Sequence, residues 1–236
     1  MSHYDQFAPF YDTVMGDRGD VIDIISGAIT RHHPTAKTLL ELGCGTGSIM
    51  AGFARKLELH GIDQSANMLR IAQHKLPAAT LHQGTIAGFD LHQQFDVIIC
   101  VFDTLNHLTD YSDWKKLFSS AKKHLCSNGL FIFDMDTIGR LRTLAAIPSF
   151  VQNFKTGTME MVIEPASANE VIWHVTIQEP APDSVIQVYQ EHVHEASFPI
   201  DQVTAQLATQ FEILECFDSN NQPPTNQSDR VYFICR

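Results

Sequence analysis

The run Leu39-Leu40-Glu41-Leu42-Gly43-Cys44-Gly45-Thr46-Gly47 is followed by a second apolar run, Leu59-His60-Gly61-Ile62, that ends on Asp63. A buried strand, a glycine turn, a helix and a second strand closed by an acid form a β-α-β unit. Such a unit binds an adenosine-containing cofactor at the carboxyl edge of a parallel sheet. Gly43 and Gly45 let the backbone take positive φ and let a ligand approach without meeting a Cβ, and Gly47 lets the next helix start close to the sheet. A carboxylate at Asp63 can accept hydrogen bonds from both hydroxyls of a ribose. The spacing departs from the dinucleotide pattern G-x-G-x-x-G: counted from Gly43 the sixth position is Ser48, and the third glycine comes one residue early. Glu41 stands two residues before the turn, where its carboxylate can reach the cofactor end of the strand.

Short apolar runs alternate with helix-like segments along the chain, the mark of a mostly parallel sheet covered on both faces. Strands are expected over 38–42, 57–63, 79–83, 95–101, 129–136, 211–218 and 231–235. Helices are expected over 21–32, 48–56, 66–76, 111–125 and 200–209. Ser65 is placed to cap the third helix, and Asn128-Gly129 to turn the chain after the fourth. Between Phe150 and Phe198 the rhythm changes. Three β-rich runs, 159–163, 171–177 and 185–189, are separated by the turn-forming segments 165–169 and 179–184. The expected architecture is therefore an α/β, Rossmann-like, doubly wound, seven-stranded, mostly parallel sheet carrying an inserted antiparallel β meander. Residues 1–149 and 199–236 form the cofactor-binding core and 150–198 the insert. The insert shapes a substrate pocket, or it covers an apolar face or makes a homodimer.

The formal net charge is −11 over 236 residues, which disfavours nucleic acid because phosphate contacts need clustered Lys and Arg. No apolar run approaches the ~20 residues that span a bilayer, and the start, Met1-Ser2-His3-Tyr4-Asp5, lacks the regions of a secretory signal. The five cysteines, 44, 100, 126, 216 and 235, show no C-x-x-C spacing, which argues for reduced thiols and a cytoplasmic location.

With Glu41 included, the pattern E-x-G-x-G-x-G resembles motif I of the class I S-adenosylmethionine-dependent methyltransferases. Further likeness lies in 95–108, matching the fourth strand and its loop in the small bacterial enzymes of the YqeM-like kind, and in 125–134, matching the junction into the fifth strand. The resemblance implies S-adenosylmethionine as cofactor and a small-molecule acceptor. It implies that Gly43, Cys44, Gly45 and Glu41 line the methionine and ribose portions, that Asp63 holds the ribose, and that Gln64 and Met68 flank the adenine. Backbone around Phe102 would meet the methionine amino group. Where family members often carry an acid after the glycine of Gly84, this chain has Thr85, whose hydroxyl can accept the same bond; Ile86 would add a backbone amide and an apolar face.

Tyr4, Phe7, Tyr11 and Met15 share one side of a helix or lid, and aromatic faces attract a sulfonium cation; Tyr11 is the candidate at the site. Asp103, Asn106 and His107 follow the fourth strand, next to the expected methyl donor. His107 is the candidate base and Asp103 or Asn106 the candidate orienting group for an amine, a hydroxyl or the cofactor amino group, with local loop capping as the alternative for each. His192-x-His194 and Asp134-x-Asp136 each put two ligand-type side chains on one face, but no further ligand has an assignable position and no metal site is expected. The competing functions are a protein methyltransferase, a nicotinamide-dependent oxidoreductase, and a non-catalytic S-adenosylmethionine-binding sensor or assembly factor.

Overall fold

In the computed structural model, residues 4–180 and 186–236 are described. Helices α1 (Tyr11–Met15) and α2 (Gly19–His32) precede strand β1 (Thr38–Leu42). There follow β2 (Glu58–Asp63), α3 (Ala66–Lys75), β3 (Thr80–Gln83), β4 (Phe95–Cys100), α4 (Tyr111–Lys123) and β5 (Leu125–Asp136). Helix α5 (Ile138–Ala145) leads into β6 (Phe150–Phe154), β7 (Gly157–Pro165), β8 (Glu170–Pro180) and β9 (Ile186–Ala196). The chain closes with α6 (Ile200–Leu207), β10 (Ile213–Asp218) and β11 (Arg230–Cys235).

Seven strands form one sheet in the order β10-β11-β5-β4-β1-β2-β3, and β6-β7-β8-β9 form a second, antiparallel one. In the large sheet β11 runs against both neighbours while the other pairings are parallel. Strand order reverses between β1 and β4, and such a switch point leaves a crevice beyond the carboxyl ends of the strands.

Side chains alternate across the sheet. Leu39, Val97, Ile99, Leu130 and Ile132 pack with Val21, Ile25 and Ala28 of α2. Leu40, Ile98, Phe131 and Phe133 pack with Trp114, Leu117 and Phe118 of α4 and with Val203 and Leu207 of α6. Burial of both faces explains why the central strands read as nearly continuous apolar runs. Side-chain oxygens start three helices: Ser65 accepts from Met68 N, Asp110 from Ser112 N and Thr137 from Arg140 N. Each satisfies an otherwise orphaned first-turn donor.

Several boundaries differ from expectation. The helix expected over 48–56 is a single 3₁₀ turn, Met50–Phe53. Glycine lowers helix propensity there, and a Cβ on Gly52 would lie 2.9 Å from Ile22 of α2. Strand β5 begins at Leu125 and runs through Asn128-Gly129 instead of turning, with a register shift against β4. A Cβ on Gly129 would sit 3.1 Å from the carbonyl oxygens of Phe95 and Asp96, so this glycine serves a close strand approach. Helix α5 and strand β6 were not anticipated, and the inserted sheet has four strands where three were expected. Val185 and the turn residues 181–184 lie outside the described residues.

The amino-terminal segment packs on the inner face of the inserted sheet, where Phe7, Phe10 and Val14 meet Met159, Val175 and Ile177. Leu141 and Leu144 of α5 anchor the same sheet through Ile163 and Val171.

Candidate active site

A cleft of about 840 Å³ opens at the carboxyl ends of the strands. Of the residues singled out from the sequence, the glycine turn contributes Gly43 and Gly45, the β2–α3 junction Asp63, Gln64 and Met68, and the segment after β3 Ile86. Phe102, Asp103 and His107 arrive from the loop after β4, and Tyr11 closes the cleft from the amino-terminal segment together with Tyr4 and Met15. A smaller recess of about 300 Å³ shares Tyr11, Gly43, Gly45 and Phe102 with the cleft and adds Glu41, Cys44 and Arg18. Thr85 lines neither; it is exposed, and its hydroxyl accepts the Ala87 N–H at 3.1 Å.

The glycine turn is shaped by three left-handed residues, Gly43 at φ +68°, Gly45 at φ +50° and Gly47 at φ +74°. A Cβ on Gly43 would meet Thr104 Cγ2 at 2.3 Å, whereas one on Gly45 would meet nothing within 4 Å. The turn thus presses against the β4 loop on one side and opens to the cleft on the other. Asp63 Oδ2 accepts the Gly45 N–H and Oδ1 the Ser65 N–H, both at 2.8 Å. Those bonds aim the carboxylate and leave lone pairs for further donors; burial raises its pKa while the backbone bonds pull it back. Glu41 is buried and accepts the Met50 N–H at 3.1 Å, so it also caps the 3₁₀ turn. Burial pushes its carboxyl up to about 8.

The far end of the cleft is acidic. Phe102 and Asp103 both take left-handed φ, 63° and 55°, a strained conformation for residues with side chains. Fully buried Asp134 holds them there, accepting both backbone N–H groups at 2.8 Å. Arg230, at the start of β11, bonds Asp103 Oδ1 at 2.6 Å and Asp136 Oδ1 at 2.8 Å and lies 3.7 Å from Asp134. Burial pushes Asp103 up to about 7 although Arg230 opposes it. His107 packs edge-on against Tyr4 at 5.5 Å between ring centroids, with the tyrosine hydroxyl 3.4 Å from Nε2. Glu195 of β9 stands 4.0 Å from His107 Nδ1.

Asn106 is fully buried, with Nδ2 donating to the carbonyls of Asp136 and Ala196 and Oδ1 accepting from Asp136 N. It brackets β5 to β9 and does not line the cleft. His192 and His194 alternate with inward-facing Val193 and Glu195, so they lie on the outer face of the inserted sheet. There His192 pairs with His174 at 2.8 Å and His194 with Glu170 at 2.9 Å.

Among the described residues, the amino-terminal lid is tied by several side chains, among them Gln152 of β6, which donates to the Val14 carbonyl. Asp12 takes hydrogen bonds from Thr46, Ser48 and Lys75. Asp5 accepts from Ser65. Glu191 of β9 accepts the backbone N–H groups of Tyr4, Gln6 and Phe7.

Arg18, Glu191, Glu195 and Arg230 escaped sequence reasoning. Arg18 is 5% exposed, its guanidinium lies 3.9 Å from the Phe102 ring, and its Nη2 is buried without a hydrogen bond. No local pattern marks it. Arg230 had a signal: Asp134 and Asp136, alternating on one face of a buried strand, require a counter-charge, and Arg230 heads the neighbouring strand.

Residues 39–129 match the family described as a methyltransferase domain. YqeM of Bacillus subtilis, which carries a provisional methyltransferase name, is 27% identical over 253 residues, covering 98% of this chain and 95% of the relative. The N,N-dimethyltransferase of Streptomyces fradiae that acts on dTDP-3-amino-3,6-dideoxy-alpha-D-glucopyranose is 28% identical over 135 residues, 55% of this chain and 52% of its own length. A crystal structure of an S-adenosylmethionine-dependent methyltransferase from Clostridium acetobutylicum superposes with a TM-score of 0.87 at 22% identity, over 99% of this chain and 98% of that one. At that identity the superposition speaks for the fold.

Proposed function

We propose that this chain is an S-adenosylmethionine-dependent methyltransferase, as its methyltransferase-domain match and full-length relatives support, and that it moves a methyl group to an amine on a small polar molecule. The observation that carries the amine reading is the acidic end of the cleft, where Asp103 and Glu195 flank His107 and favour a cationic guest. Relatives that methylate the amino groups of nucleotide-linked sugars support it.

S-adenosylmethionine, when bound, supplies a methyl carbon already joined to a good leaving group, so positioning is the protein's main task. The residues present suit its parts. Asp63 takes the ribose hydroxyls, and Gln64, Met68 and Ile86 flank the adenine, with Thr85 left at the rim. Gly43, Cys44, Gly45 and Glu41 follow the methionine portion. The buried, unpaired Nη2 of Arg18 suits the carboxylate. Because the Phe102 N–H is held by Asp134, a contact with the amino group falls to the Phe102 carbonyl. Tyr4 and Tyr11 turn aromatic faces to the sulfonium and exclude water. Asp103 orients the incoming amine, and His107 takes its proton.

The five cysteines are free thiols, which supports the cytoplasm as the working compartment. No helix of the described residues is long and apolar enough to cross a membrane.

Calorimetry on the purified protein should give binding of S-adenosylmethionine and none of NAD; the reverse would make it an oxidoreductase. Methyl-labelled cofactor should then mark amines in dTDP-amino sugars or a fractionated pool of polar metabolites. Label in protein instead would make it a protein methyltransferase, and tight binding with no labelled product a sensor or assembly factor.

A further inference from the structure

We propose that Glu195, supplied by the inserted sheet, is the positioning residue that holds the His107 ring and stabilises it once it carries a proton. The inference rests on the reading of His107 as the base. It goes further by giving β9 a part in the chemistry beyond shaping a pocket.

The geometry is that of a chain of three groups, with Glu195 buried and Tyr4 and His107 half-buried. Tyr4 OH lies 3.4 Å from His107 Nε2, on the cleft side. Glu195 Oε1 lies 4.0 Å from Nδ1, on the opposite side of the ring. Ligand-type atoms of Asp103, His107 and Glu195 all fall within 4.8 Å of one another. Glu195 is only 3% exposed, and its Oε2 is buried without a hydrogen bond in the described structure. A carboxyl group so placed is costly to a fold unless a positive partner visits it. Burial, with Asp103 and Asp136 adding to it and the Trp173 indole and Arg230 opposing, raises its pKa, so the carboxylate form depends on a cation beside it, which a protonated His107 supplies.

An imidazolium at His107 is the partner that this arrangement lacks. When the acceptor arrives as an ammonium ion, one N–H bond breaks and leaves its electron pair on the acceptor nitrogen, which becomes the nucleophile. The proton forms a new bond to His107 Nε2, and the positive charge moves from acceptor to ring. With Glu195 ionised beside Nδ1, that charge is matched inside the site. Arg230 does not compete for Glu195 at short range, because its guanidinium is taken up by Asp103 and Asp136. The charged and titratable groups that act on this pair include Tyr4 from the lid and Asp103 from the same loop, near the ring, and Asp136 from β5 and Arg230 from β11, which act on Glu195.

The test needs no acceptor. The ring carbons and nitrogens of His107, assigned by comparison with H107Q, are followed by NMR across pH in wild type, E195Q and E195D. An opposite charge at this range raises a histidine, so E195Q should lower the His107 midpoint by about one pH unit and E195D should fall between. An unchanged midpoint in folded E195Q overturns the proposal. If E195Q melts too early to titrate, the carboxyl carbon of Glu195 in wild type serves instead. It should show an inflection at the His107 midpoint, and its absence overturns the pairing. Calorimetric binding of S-adenosylmethionine to the same samples is a separate arm. Its loss in wild type would sink the methyltransferase reading, while intact binding with an unmoved histidine sinks only the role of Glu195.

Discussion

Asp63 shows how one carboxylate can serve both the fold and the ligand. Its two oxygens are aimed by Gly45 and Ser65, and the remaining lone pairs suit a ribose diol. Asp63→Ala should weaken S-adenosylmethionine binding by about 1–3 kcal/mol, the usual cost of charge-assisted hydrogen bonds, measured by calorimetry. Glu41 adds a pH dependence. Its folded pKa, about 8, lies above the ordinary 4.5, so the unfolded chain releases this proton first. The stability linked to Glu41 is whole below about 4.5 and lost as pH rises through about 8. Asp103, raised to about 7, acts with the same sign. Thermal melts should therefore fall from pH 5 to 8 in wild type and fall less in Glu41→Gln.

At the level of elements, Asn106 joins the 3₁₀ turn after β4 to β5 and to the end of β9 with three hydrogen bonds. Asn106→Ala removes the bonds to the Ala196 carbonyl and the Asp136 amide, while the Asp136 carbonyl keeps Ser197, so urea unfolding should show a loss of about 1–3 kcal/mol. Nothing in the sequence marked this role: an asparagine after a strand reads equally as a loop cap or a cleft residue. The strands of the large sheet were legible because burial on both faces leaves long apolar runs. The 3₁₀ turn at 50–53 was not, because the pressure of Ile22 on Gly52 comes from a distant helix. Strand β6 was missed because Phe150-Val151-Gln152-Asn153-Phe154 gains its β character from pairing with β7. The cleft's glycine and acid positions were visible since local geometry dictates them. The acidic end was only half visible, because Glu195 and Arg230 reach it from strands distant in sequence.

For the molecule as a whole, a ligand that fills the cleft stabilises only the folded state. S-adenosylhomocysteine at a hundred times its Kd adds about 2.7 kcal/mol, which for a chain of this size is a rise of roughly 5–10 °C in Tm, read by differential scanning calorimetry.

The ties between the lid and β9 have a consequence for synthesis. Phe7 precedes Glu191 by 184 residues, so the segment that carries it can dock on β9 only after that strand has left the ribosome. A bulky group fused ahead of that segment would hinder this docking while leaving the large sheet intact.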